Sequence, residues 1–342
     1  MHLDPLFDLV RRQSTQVQGR YAAIGVATAA GPVGSAAFVR GERLADPARS
    51  PIASLTKPIT ATAIMQLVED GAVTLDEPIA SYVPELAAEP RDHAAIVTVR
   101  HVLSHTSGLV DLPDTELVTL PPTPTAMTDA MCGARLRFAP GSAFEYASEP
   151  WYLLSAIVER ASGSPFAAFV RDRILWPLGM TATTFDPRDH GPAHLQPAGH
   201  FPTADIGADD MVSLMAGLVM PGGGLWSTPD DMLRFGRAML LGGTLDGTRI
   251  LDRSSVDAMV EPQTRDVVDA GTGDPVHYGL GWGLRPGWGA SESAFAHSGA
   301  TGSMLVVDPA RGLVIVYLRN WWGTTMDATN GALEAAFAAI SR

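Results

Sequence analysis

The chain has 342 residues, 46% hydrophobic and 18% charged, and its 24 basic and 37 acidic side chains leave a net charge of −13. That length suits two compact units with sizeable cores, and an acidic balance with no Lys/Arg run argues against nucleic acid or an anionic membrane surface as a partner. The single cysteine, Cys132, allows no internal disulfide, and no apolar run approaches the roughly 18 residues of a membrane span.

The N-terminal stretch "MHLDPLFDLVRRQSTQ" sets Asp4 and Asp8 ahead of Arg11 and Arg12. This is not the basic-then-apolar order of a signal peptide, so the expectation is a short amphipathic helix in a cytoplasmic protein. "AAIGVATAAG" and "VGSAAFVRG" then read as two strands of an antiparallel hairpin, joined at a Gly-Pro turn. A helix is expected to begin at Ser54 in "SLTKPITATAIMQLVEDG". Ile64, Leu67 and Val68 fall near helical spacing, and Asp70-Gly71 supplies the stop. Prolines, loops and short helices dominate the region from 76 to 214. Its longest helical pattern, "PWYLLSAIVERASG", ends at Gly163. In the next, "SPFAAFVRDRILWPLGM", Ser164 is the expected N-cap, with Pro165 just inside. In "GGGLWSTPDDMLRFGRAMLLGG", Ser227 or Thr228 caps a helix with two aspartates in its first turn. The last hundred residues return to strand patterns ("YGLGWGLR", "AFAHSGATG", "SMLVVDP", "GLVIVYLRN") and close on a helix.

Strand patterns at both ends with helices between them predict an α/β (α+β) fold. One lobe, residues 1–75 and 215–342, would hold an antiparallel sheet flanked by helices, and residues 76–214 would form a mostly helical lobe. A ligand site is expected in the groove between the two.

The chemistry starts with Ser54-x-x-Lys57. Positions i and i+3 share a helix face, so the two heads can exchange a proton. A serine hydroxyl needs a base to become a nucleophile, and a lysine serves only if burial or neighbouring charge keeps it neutral. Pro58 lacks the N–H that would bond the Ser54 carbonyl, so the first turn must be distorted. Tyr146 in "EYASEPWY" and His297-Ser298-Gly299 in "AHSGATG" are each compatible with core packing when taken alone. A glycine in a strand also lets a substrate lie against the backbone.

Taken together and in this order, the three motifs resemble those of the serine β-lactamase and penicillin-binding-protein superfamily. The nearest likeness is to its class C-like and family VIII esterase branch, which includes DD-carboxypeptidases and lovastatin-type acyltransferases. Ser-x-x-Lys is a signature of penicillin-recognising enzymes. The likeness runs from about residue 20 to 320 and includes "VRHVLSHTSGL", "YASEPWYLLSAIVERASG", "PLGMTATTF" and "GGGLWSTPDDMLRF". It implies a β-lactamase/transpeptidase-like fold with Ser54 as the acylated nucleophile, Lys57 as its base and Tyr146 as the proton shuttle to the leaving group. It also implies an oxyanion hole made by the N–H groups of Ser54 and Ala300, and substrate contacts from Ser148, His297, Ser298 and Gly299. No cofactor is implied.

Two positions depart from the family pattern. Ser148 stands where Tyr-x-Asn has its asparagine, and His297 stands in place of the strand lysine. Both changes remove groups that grip a β-lactam's amide and carboxylate, which favours a carboxylesterase. The alternatives are an acyltransferase or amide hydrolase (β-lactamase, DD-carboxypeptidase) on the same residues, or a penicillin-recognising protein that binds without turnover. The expected partner is a small acyl substrate; the sequence says nothing of oligomeric state. His105 in "HTSGL" is read as shaping the helical lobe, and "PGGGLW" as turn geometry, since it lacks the Gly-Lys-Ser/Thr of a phosphate loop. His190, His194 and His200 with Asp186 and Asp189 are not read as a metal site, because Gly191-Pro192 and Pro197 prevent a shared helical face.

Overall fold

A computed structural model describes residues 3–16, 21–46, 48–87, 96–117, 119–189, 195, 198–199, 208–323 and 325–340. The sheet at its centre uses β1 (Tyr21–Thr28), β2 (Gly31–Val39), β3 (Glu42–Arg43), β4 (Gly283–Leu284), β5 (Phe295–Gly299), β6 (Ser303–Asp308) and β7 (Leu313–Arg319). The strand order is β3-β2-β1-β7-β6-β5-β4, with every neighbouring pair antiparallel. The two ends of the chain meet where β1 pairs with β7, Ala22 opposite Arg319 through Thr28 opposite Leu313.

Two strand expectations need correction. The Gly31-Pro32 pair lies inside β2, and the chain turns at Ala29-Ala30 instead. Pro32 is tolerated because β3 covers β2 only at Phe38 and Val39, so Pro32 sits at an open edge beside a register shift at Val26/Ala27. "YGLGWGLR" is mostly not strand. Gly279 N–H bonds the Trp282 carbonyl at 2.8 Å, and Gly281 has φ +76°, so the chain turns back and only Gly283–Leu284 joins the sheet.

The helices that matter for the site are α1 (Asp4–Gln13), α2 (Thr56–Glu69), α3 (Pro124–Gly133), α4 (Trp151–Ser162), α5 (Ala208–Leu218), α6 (Pro229–Leu240) and α7 (Asp327–Ile340). Both faces of the sheet are covered, and the strands alternate accordingly. Ala22, Ile24, Val26, Ile315 and Tyr317 pack with α1 and α7, while Ala23, Ala27, Val314, Val316 and Leu318 face α6 and the main core. α2 departs from the expected one-sided pattern: every residue from Thr56 to Leu67 is buried. Several of its polar side chains find backbone partners inside the protein. Thr60 bonds the Pro221 carbonyl (2.7 Å), and Gln66 bonds the carbonyls of Arg173 (3.0 Å) and Ile250 (2.9 Å).

Of the two candidate caps of α6, Thr228 is the one used; its hydroxyl accepts from Asp231 N–H at 3.3 Å. Ser227 pairs with Thr183 instead (2.8 Å). Ser164 does not cap the next helix after α4. Glu159 reaches forward to the Phe166 N–H (2.9 Å), and that helix, Phe166–Val170, widens into a π turn at Arg171–Leu175. No helix among the described residues is long and apolar enough to cross a membrane.

Candidate active site

Ser54 sits at the junction of sheet and helices. The segment before it is tied to the chain near α6: Ser50–Pro51 pairs with Trp226–Ser227, and Ile52 N–H bonds the Leu225 carbonyl at 3.0 Å. Ser54 then lies in a 3₁₀ turn, Ala53–Leu55, that runs into α2. This is the distortion that Pro58 requires. Ala53 takes φ +48°, a conformation costing an L-residue about 1–3 kcal/mol, as strained residues at functional sites do. Thr56 holds the turn in place. Its hydroxyl donates to the Ala53 carbonyl (2.7 Å) and accepts from Leu225 N–H (3.1 Å).

Lys57 is fully buried and pointed at Ser54. Its Nζ lies 3.3 Å from Ser54 Oγ, 3.0 Å from Ser148 Oγ and 2.9 Å from the Gly222 carbonyl. Desolvation lowers its pKa to about 7, against the opposing pull of Asp111 and Glu149. A neutral amine has two N–H groups and one lone pair. If Gly222 and Ser148 take the two N–H groups, the lone pair is left for the Ser54 hydroxyl. The glycine run read as mere turn geometry thus supplies a ligand to Lys57. A Cβ on Gly222 would stand 3.2 Å from Nζ and 3.0 Å from the Ser148 carbonyl.

Tyr146 lies at the rim, 42% exposed. Desolvation of its hydroxyl raises its pKa, against the lowering pull of Ser54. Its ring also lies 4.7 Å from Lys57 Nζ. His105 sets its position. The His105 carbonyl accepts from Glu145 N–H (2.9 Å) and its Nδ1 from Ala147 N–H (3.2 Å), so it grips the residues on either side of Tyr146. The two rings pack at 4.4 Å, and His105 adopts φ +58° to reach them. Since Nδ1 accepts, the imidazole is the neutral Nε2–H tautomer. Burial, then the nearby Lys57, hold its pKa well below the ordinary range. The "HTSGL" loop thus reaches the site itself, a role that sequence spacing could not reveal.

The β5 residues come close to Ser54 but are mostly turned inward. His297 is buried; its Nε2 contacts the Tyr278 hydroxyl at 2.9 Å and its Nδ1 the Ser298 carbonyl at 2.8 Å. Desolvation and Lys57 push its pKa down to about 3, so it is neutral in any ordinary buffer. The Ser298 side chain is exposed. At Gly299 the neighbour is the protein's own chain, since a Cβ there would lie 2.5 Å from the Ile52 carbonyl. The absent side chain lets β5 approach the Ala53–Leu55 turn.

A cavity of about 330 Å³ opens beside Ser54, lined by Ala53, Ala300, Ser148, Gly222 and Gly223 at its inner end and by apolar residues of α5. Asp111 and Glu149 line it too. Asp111 Oδ1 accepts from the N–H groups of Ser148 (2.5 Å) and Glu149 (2.9 Å), which fixes the segment after Tyr146. Burial, then the hydrogen bond with Asp111, raises the Glu149 pKa. Neither acid carried a sequence signal. Among the described residues no group of three or more His, Cys, Asp or Glu could hold a metal, and His190, His194 and His200 lie outside those residues.

A serine beside a buried lysine, with a tyrosine at the rim, where an antiparallel sheet meets helices, defines the class: a β-lactamase/penicillin-binding-protein fold. The chain belongs to the β-lactamase family, whose model, described as Beta-lactamase, matches residues 8–340. It is 30% identical over 276 residues to penicillin-binding protein 4 of Amycolatopsis lactamdurans, covering 78% of this chain and 71% of that one. It is 29% identical over 334 residues to esterase EstB of Burkholderia gladioli, covering 83% and 80%. Among solved structures, a family VIII carboxylesterase superposes with a TM-score of 0.78 at 20% identity, covering 98% of each chain, a likeness of fold.

Proposed function

We propose that the protein is a serine hydrolase that cleaves carboxylic esters through an acyl-enzyme on Ser54. The observation that carries this reading is the buried Lys57, with its pKa brought down to about 7 and its Nζ 3.3 Å from Ser54 Oγ. Neutral Lys57 takes the hydroxyl proton as Ser54 Oγ bonds to the ester carbon. The developing oxyanion is held by the N–H groups of Ser54 and Ala300, a type of donor worth roughly 3–4 kcal/mol. The carbon–oxygen bond to the alcohol then breaks, and the proton passes through Tyr146 to the departing oxygen. Water, deprotonated along the same path, releases the acid and restores Ser54.

The charge around the site supports an ester over a β-lactam. His297 is neutral and hydrogen-bonded inward, so it offers a substrate carboxylate no fixed positive charge. The test is a panel of nitrophenyl esters beside a chromogenic cephalosporin, with intact-mass detection of a fluorophosphonate adduct. Higher kcat/KM on the esters is expected. Ser54→Ala should lose the adduct and on the order of 10³ to 10⁶ in turnover. A preference for the cephalosporin would reverse the substrate assignment, and an adduct surviving on Ser54→Ala would place the nucleophile elsewhere.

A further inference from the structure

We propose that the cavity beside Ser54 is the acyl subsite and that it selects an uncharged, apolar acyl chain of medium length; this rests on the ester-hydrolase reading above. An ester carbonyl attacked by Ser54 carries two arms. The alcohol arm must leave towards the Tyr146 hydroxyl to receive its proton. Tyr146 and His297 are not among the described residues lining the cavity, whereas Ser54 and Ala300 are. The arm that enters the cavity is therefore the acyl chain.

Its walls fit such a chain. Met211, Leu214, Met215 and Leu218 come from α5, with Met220 just beyond it and Trp322 completing the surface. Methionine side chains adapt to the shape of what they cover. A volume of about 330 Å³ has room for on the order of ten water-sized groups, enough for a chain of about six to eight carbons. Each methylene moved from water into such a wall favours binding by about fourfold.

The polar part of the lining sets the charge preference. Asp111 and Glu149 are its acidic groups, and no Lys, Arg or His is among the described lining residues. Asp111 is held in place by the N–H groups of Ser148 and Glu149. An acyl chain ending in a carboxylate would lose its water beside Asp111, with no cation among the described lining residues to pair with.

The experiment measures kcat/KM for nitrophenyl acetate, butanoate, hexanoate, octanoate and dodecanoate, and for the mono-nitrophenyl ester of adipic acid. Acylation of Ser54 is followed by intact mass. The expected profile rises by on the order of tenfold for each added pair of methylenes, peaks at hexanoate or octanoate and falls at dodecanoate. The adipate monoester should fall at least about a hundredfold below hexanoate, and Asp111→Asn should narrow that gap. Leu214→Trp and, independently, Met215→Trp should move the optimum to a shorter chain. A profile that declines steadily from acetate, an adipate monoester equal to hexanoate, or an optimum unmoved in both tryptophan variants overturns the assignment. If acyl mass appears on Ser54 in those cases, the hydrolase reading stands and only the subsite fails. If no ester acylates Ser54, the hydrolase reading fails and takes the subsite with it.

Discussion

In the proposed mechanism two residues carry the proton, and each has its own signature. Below about pH 7 Lys57 is protonated and has no lone pair for the Ser54 hydroxyl; above it the amine is free. kcat/KM should therefore rise with pH through an apparent pKa near 7 and level off, since that quantity reports the free enzyme. A rise displaced towards the ordinary lysine value of about 10.4 would mean that Lys57 is solvated. Tyr146→Phe keeps the ring that packs on His105 at 4.4 Å and loses only the hydroxyl. Turnover should fall by about 10² to 10⁴ while the melting temperature stays near the parent's. Near-normal hydrolysis would reduce Tyr146 to packing.

At the scale of elements, the site depends on four chain segments approaching closely: the Ala53–Leu55 turn, the "HTSGL" loop, the glycine run before β-paired Trp226, and β5. Small residues make this possible where backbones nearly touch. Gly222→Ala places a methyl 3.2 Å from Lys57 Nζ. We expect a fall of on the order of tenfold to a hundredfold in kcat/KM with little loss of stability, because the neighbours that must give way, the Ser148 carbonyl at 3.0 Å and the Lys57 amine, both belong to the proposed site. Steady-state kinetics beside a thermal melt checks this. A large drop in melting temperature with unchanged kinetics would show that the turn, and not the amine, had moved.

Across the whole molecule, α6 is pressed against the sheet so closely that a Cβ at Gly236 would lie 2.5 Å from Val314 Cγ1 and 3.0 Å from Leu305 Cδ1. Gly236→Ala should be destabilising by about 1–3 kcal/mol through overpacking, even though alanine is the better helix former. Urea unfolding measures this, and a stabilised variant would mean that the interface has slack.

Much of this was legible in the residues. The apolar runs of β1, β6 and β7, the αL stop at Gly163 and the Ser54-x-x-Lys57 spacing are local patterns, because side-chain period and backbone sterics act between near neighbours. The family motifs supplied Tyr146 and Ala300. What stayed hidden depends on residues far apart in the chain. Gly222 sits 165 positions from Lys57, and Nδ1 of His105 accepts a hydrogen bond from Ala147, 42 positions on. The inward turn of His297 needs Tyr278, and the closeness of Gly299 to Ile52 needs the whole sheet. Sequence alone determined which groups could do acyl chemistry. Tertiary structure decided which of them lose their water and which neighbours they meet, because desolvation and contact are properties of the packed chain.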